Sequence, residues 1–193
     1  MRKFSLRPAI TLRGRKFKGL RGFAGKPFHP PLTDIPIGAY ILGAVFDVVS
    51  VVGDHRHSWA REMWHAGTFV FVGGVIVSVF AALTGLFDWL RSSEAGTQAR
   101  RTANAHASIM VTVTVLALVD IALRLNGYHT HSSTPVGIMV LSVLIAGLVS
   151  WGATYGGSLV FDYGFNVETA GDSPVWHKSE KDVLPGQHDS DAK

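Results

Sequence analysis

The sequence predicts an all-α fold, an integral membrane four-helix bundle with both ends of the chain on the cytoplasmic side. Three observations lead there. Four long apolar runs, 35–53, 67–90, 103–125 and 136–161, each approach or exceed the roughly 20 residues that a helix needs to cross a hydrocarbon layer. Their polar residues are isolated rather than spaced along a wet face, as a soluble bundle would require. Basic residues gather before the first run and between the second and third. The chain of 193 residues divides into a basic N-terminal arm (1–34), a four-transmembrane-helix domain (35–167) and a polar tail (168–193).

The arm carries Arg2, Lys3, Arg7, Arg13, Arg15, Lys16, Lys18, Arg21 and Lys26 with no acid among them, and the second connection adds Arg91, Arg100 and Arg101. Lysine and arginine stay preferentially on the cytoplasmic side, so these segments face inward and the first and third connections face outward. The arm suits an orientation signal that also meets anionic lipid headgroups. Its aromatics form no recognisable nucleic-acid module, so no nucleic-acid partner is expected. No apolar stretch with a small-residue cleavage site follows the arm, so no removable signal peptide is expected. The tail from Asp172 to Lys193 is too polar to bury a core of its own, so it is expected either to be disordered or to dock on a partner through Val175, Trp176, Val183 and Leu184.

Small residues four apart, Gly74 with Ser78, Ala81 with Gly85 and Gly152 with Gly156, place smooth stripes on the second and fourth helices, where neighbouring backbones can approach closely. Polar residues within the spans say more, because they are costly in lipid and turn toward the bundle interior. On the third helix His106, Met110, Val113, Ala117, Asp120 and Arg124 share one face, and the four-residue step from Asp120 to Arg124 permits an ion pair that keeps both charged. Tyr40, Gly43, Asp47 and Ser50 form a matching stripe on the first helix. Depth sorts the groups into a cytoplasmic set (His29, Asp88, His106, Trp151, Tyr155, Asp162) and an outer set (Asp47, Asp120, Arg124 and the loop histidines).

Cysteine is absent, which removes disulfides, thiolate-held iron-sulfur clusters and covalently attached haem. His29 and His106 each stand where a helix enters from the cytoplasm, and two opposed neutral imidazoles are what a b-type haem takes as axial ligands. Asp88 would orient one ring through its N–H, and Trp151 lies at the same level. The plain alternative has His29 capping a turn before Pro30 and Pro31 and His106 bonded to Asp88 as a link between helices. On the outer side His55, His57, His65, His129 and His131 offer two His-x-His pairs and a fifth imidazole for copper or zinc, against a simpler reading as interfacial loop sequence beside Trp59, Trp64 and Tyr128. No nucleophile elbow, phosphate loop or His-Glu-x-x-His occurs, so a stand-alone enzyme is not the expected role.

The stretch His29-Pro-Pro-Leu-Thr-Asp-Ile-Pro-Ile-Gly38, then Asp47, Ala81-Ala-Leu-Thr-Gly-Leu-Phe-Asp-Trp89, Ala105-His-Ala107 and Gly156-Gly-Ser-Leu-Val-Phe-Asp-Tyr-Gly-Phe-Asn-Val167, resembles the bacterial four-helix membrane family catalogued as domain of unknown function 2231. That resemblance implies the bacterial cytoplasmic (inner) membrane and a setting near electron transfer. Some relatives carry a Rieske iron-sulfur domain after the bundle, and the architecture is similar to small b-type cytochromes. The chain itself lacks the Cys and His set of a Rieske centre, so a separate redox partner would supply one. Three functions follow: a redox-associated subunit that binds haem b or works close to quinone; a cofactor-free accessory subunit of a larger respiratory-type membrane complex; and a small metal-handling or transport protein using Asp47, Asp120 and the outer histidines.

Overall fold

The computed structural model of the protein describes residues 19–20 and 27–165; the rest of the basic arm and the polar tail, with its proposed anchors, lie outside the described residues. Four helices follow one another: α1 (His29–Gly53), α2 (Ser58–Ser92), α3 (Gln98–Gly127) and α4 (Val136–Phe161), with a single 3-10 turn, Asp54–Arg56, between α1 and α2. All four are long and apolar enough to cross a membrane. Large apolar side chains on the outside, Phe69, Leu83, Leu90 and Leu125 among them, are at least 60% exposed, as a surface solvated by lipid tails allows. The molecule is a four-helix membrane protein.

Three helices run beyond the apolar windows that announce them. α1 begins at His29 rather than Ile35 because Pro30 and Pro31 stand in its first turn, where a missing N–H removes no helical hydrogen bond and a fixed φ favours the helix. These prolines start α1, so His29 is not a cap on a separate turn. α2 gains its amphipathic opening turns from Ser58 to Ala66, and α3 begins at Gln98, where the Thr97 side chain accepts the Arg100 backbone N–H at 3.1 Å. Hydropathy marks the portion of a helix that lipid must cover, and the polar ends continue past it. α4 spans the expected 136–161.

The helices form a ring in chain order. α1 packs on α2, α2 on α3, α3 on α4 and α4 on α1, whereas across either diagonal no two Cα atoms of the described residues come within 8 Å. The small residues of α2 and α4 make the two closest seams. A Cβ on Gly74 would lie 2.9 Å from the Ala39 Cβ of α1, and one on Gly152 would lie 2.9 Å from the Met110 sulfur of α3. Tyr40, Phe71, Val75, Val113, Ala117, Ile145 and Val149 fill the middle of the ring, and the Tyr40 and Ser78 hydroxyls share a buried hydrogen bond of 2.6 Å between α1 and α2.

The α2–α3 connection is closed by chemistry at its ends. The Arg100 guanidinium lies 3.5 Å from the centre of the Trp89 ring, and it donates to the carbonyls of Trp89 and Ser93, each at 3.2 Å. Trp89 in turn donates its indole N–H to Asn104 at 2.7 Å.

Adjacent glycines on α2 test the seam. Gly74 is buried against α1, whereas a Cβ on Gly73 meets nothing within 4 Å. Gly74→Ile should lower stability in detergent by about 1–3 kcal/mol, the usual cost of overpacking, while Gly73→Ile leaves the thermal midpoint of the purified protein nearly unchanged.

Candidate functional site

Polar groups bridge the α1–α3 diagonal at both ends of the bundle, and the apolar core separates them. His29 and His106 meet at the end that holds the α2–α3 connection; Asp47 and Arg124 meet at the end that holds the other two connections. Eighteen residues separate the two groups on α1 and again on α3, which at the helical rise is about 27 Å, close to the thickness of a hydrocarbon layer.

At the first end, the His29 and His106 ring centres are 6.4 Å apart with their planes at 82°. His29 Nδ1–H donates to the Ala81 carbonyl of α2 at 2.9 Å, and His106 Nδ1–H donates to the Gly152 carbonyl of α4 at 2.9 Å. A carbonyl only accepts, so each bond fixes the proton on Nδ1 and leaves the lone pair on Nε2. Glycines seat both rings: a Cβ on Gly85 would lie 2.7 Å from His29 Cε1, and one on Gly156 would lie 3.1 Å from His106 Cε1. The stripes Ala81 with Gly85 and Gly152 with Gly156 are therefore imidazole seats as well as helix seams.

Asp88 does something other than orient a histidine. It is buried near the same end, and its Oδ1 accepts the Leu20 backbone N–H at 2.9 Å, while the Leu20 carbonyl accepts the Phe28 N–H at 3.1 Å. The carboxylate ties the arm to α2. The expected bond between His106 and Asp88 is replaced by the one to Gly152. Trp151 is 54% exposed and lies edge-on to Tyr155 with ring centres 6.0 Å apart, so its indole belongs to the outer surface of α4.

The opposite end holds a knot of charge with no exposure at all. Arg124, Asp47 and Asp120 are each 0% exposed. Arg124 donates to both carboxyl oxygens of Asp47, Nη1 to Oδ1 at 3.1 Å and Nη2 to Oδ2, and its Nε donates to Asp120 Oδ2. The phenyl ring of Phe71 lies 4.5 Å and the Trp64 ring 5.2 Å from the guanidinium carbon. Thr134, in the α3–α4 connection, donates its hydroxyl to Asp47 Oδ1 at 3.1 Å and its N–H to Ser50 Oγ at 2.8 Å, and Ser50 donates to the Ala60 carbonyl of α2 at 2.6 Å. Gly67 makes room, since a Cβ there would lie 3.2 Å from Asp47 Oδ1. The i, i+4 pair foreseen between Asp120 and Arg124 is present, and Asp47 is the second, bidentate partner. Thr134 and the Ser50 relay were not foreseen; a threonine in a polar connection carries no sequence signal.

The outer histidines do not gather. Among the described residues no three metal-ligating side chains form a group. His55 bonds Asp54 at 2.8 Å, His57 the Gly53 carbonyl at 2.8 Å, and His65 the Tyr128 carbonyl at 3.2 Å. His129 lies edge-on to Tyr128 at 5.0 Å and His131 edge-on to Trp64 at 5.9 Å.

A family model described as "Predicted membrane protein (DUF2231)" matches residues 25–169, which takes in all four helices and both polar layers. The chain belongs to this family. No curated protein and no solved structure matches it. Membership confirms the membrane architecture and leaves chemistry to be argued from the residues themselves.

Because Arg124 neutralises charge that lipid cannot solvate, Arg124→Ala should be the most damaging single change at this end. Removing one partner of a buried ion pair typically costs about 3–5 kcal/mol. Unfolding in detergent should show such a loss, and a stability equal to that of the parent would mean that the carboxylates do not need the guanidinium.

Proposed function

We propose that this multi-pass protein is a redox-associated subunit of the bacterial cytoplasmic membrane, in which His29 and His106 would hold a b-type haem. The observation that carries this reading is the pair of imidazoles with Nδ1 held by carbonyls and Nε2 left as the lone pair, the arrangement that fixes a metal-ligating histidine. The ring centres are 6.4 Å apart, which places both imidazole donors together at one end of the bundle. The donor set therefore fits such a group.

A bound haem would supply one-electron chemistry, with its potential set by the two imidazoles and their burial. The chain's own residues do the rest. The carbonyls of Ala81 and Gly152 hold the tautomer and raise the basicity of each ring, and Gly85 and Gly156 let the rings lie close against α2 and α4. Partners of this reading are the lipid bilayer, a quinone or a separate redox subunit on the side of the imidazoles. The basic arm and the arginines of the α2–α3 connection support placing that end, with both termini, in the cytoplasm.

Protein purified in detergent, or reconstituted with haemin, should show a Soret band. His29→Ala and His106→Ala should each abolish it, and His55→Ala on the exposed turn should leave it. A chain that stays colourless after reconstitution would favour the cofactor-free accessory subunit, in which the imidazoles only join helices. A reporter fused at the C-terminus should be active in the cytoplasm; a periplasmic signal would reverse the orientation.

A further inference from the structure

The charge knot at the far end from the imidazoles does not balance. Two carboxyl groups share one guanidinium, all three side chains are fully buried, and α2 and α4 add no ionisable contact among the described residues. The partners are unequally divided. Asp47 accepts from two nitrogens of Arg124 and from Thr134, so both of its oxygens are satisfied. Asp120 accepts only from Arg124 Nε on Oδ2, and its Oδ1 is buried with no hydrogen-bond partner. The aromatic rings of Phe71 and Trp64 face the guanidinium and exclude further polar contact there. His131 stands edge-on to Trp64, one ring removed from the knot.

An uncompensated carboxylate in lipid costs far more than a neutral acid, and the group with the fewest donors is the one best neutralised. We infer that Asp120 binds one exchangeable proton at Oδ1, so that the knot consists of an Asp47 carboxylate, an Arg124 guanidinium and an Asp120 carboxylic acid. The inference is independent of haem at the opposite end. It gives the bundle a proton-binding site placed seven residues, about 10 Å of helix, from the end of α3.

Infrared difference spectroscopy of the full chain in lipid vesicles tests this. At neutral pH the parent should show a protonated-carboxyl stretch that shifts down in D2O. Asp120→Asn should remove it, and Asp120→Glu should move it. Asp47→Asn should also remove it, because Asp120 then becomes the sole anionic partner of Arg124 and gives up its proton. Asp88→Asn should leave it in place. A parent without the band overturns the proposal whatever the variants do. So does a band that survives Asp120→Asn or Asp47→Asn, or one that vanishes in Asp88→Asn.

Discussion

A guanidinium fully buried at one end of a lipid-covered bundle is the constraint around which one half of this molecule is arranged. Arg124 finds no water at 0% exposure, so its donors must all be met by protein. Meeting them takes α1 through Asp47, α3 through Asp120, aromatic rings from α2 and, through Asp47, the hydroxyl of Thr134 ahead of α4. Every helix or its flanking connection is thereby recruited. The pair Arg124 and Asp47 spans a diagonal along which no backbones touch, so the ion pair, rather than close packing of α1 on α3, sets the distance between those helices at this level.

The opposite end uses neutral chemistry for the same diagonal. Two imidazoles meet edge to face, and each is anchored on a third helix by a carbonyl in place of a charged partner. The charges of the knot can be fully enclosed because they are paired and hydrogen-bonded to one another, whereas His29 and His106 are half-buried. Between these layers the core of Tyr40, Phe71, Val113, Ile145 and their neighbours contributes packing.

The architecture was legible in the sequence because lipid imposes a length and polarity requirement that one chain reveals directly. The interior faces were legible for the same reason: Tyr40, Gly43, Asp47 and Ser50 on α1, and Val113, Ala117, Asp120 and Arg124 on α3, are all buried. Partners on the same helix could be read from spacing, as for Asp120 with Arg124. Partners on different helices could not, since periodicity gives a face and a depth but not the order of the ring. Depth therefore grouped Asp47 with Asp120 and Arg124 without pairing it to the guanidinium, and Asp88 appeared as a companion of histidine rather than the residue that holds Leu20. Backbone acceptors such as the Ala81 and Gly152 carbonyls have no sequence signature. The start of α1 was misplaced because prolines read as breakers in the interior of a helix and as initiators in its first turn.

The order in which the charges occur along the chain bears on how the protein is made. Asp47 belongs to the leading hairpin of α1 and α2, whereas Arg124 is synthesised 77 residues later. The trailing hairpin of α3 and α4 brings an acid and a base that already offset each other. The leading one brings an acid alone. Until the two halves dock, a nascent chain holds that acid without its counterion in the bilayer, so the last step of assembly removes an electrostatic penalty from the first half, and an orphaned front half is left chemically distinguishable from a finished protein.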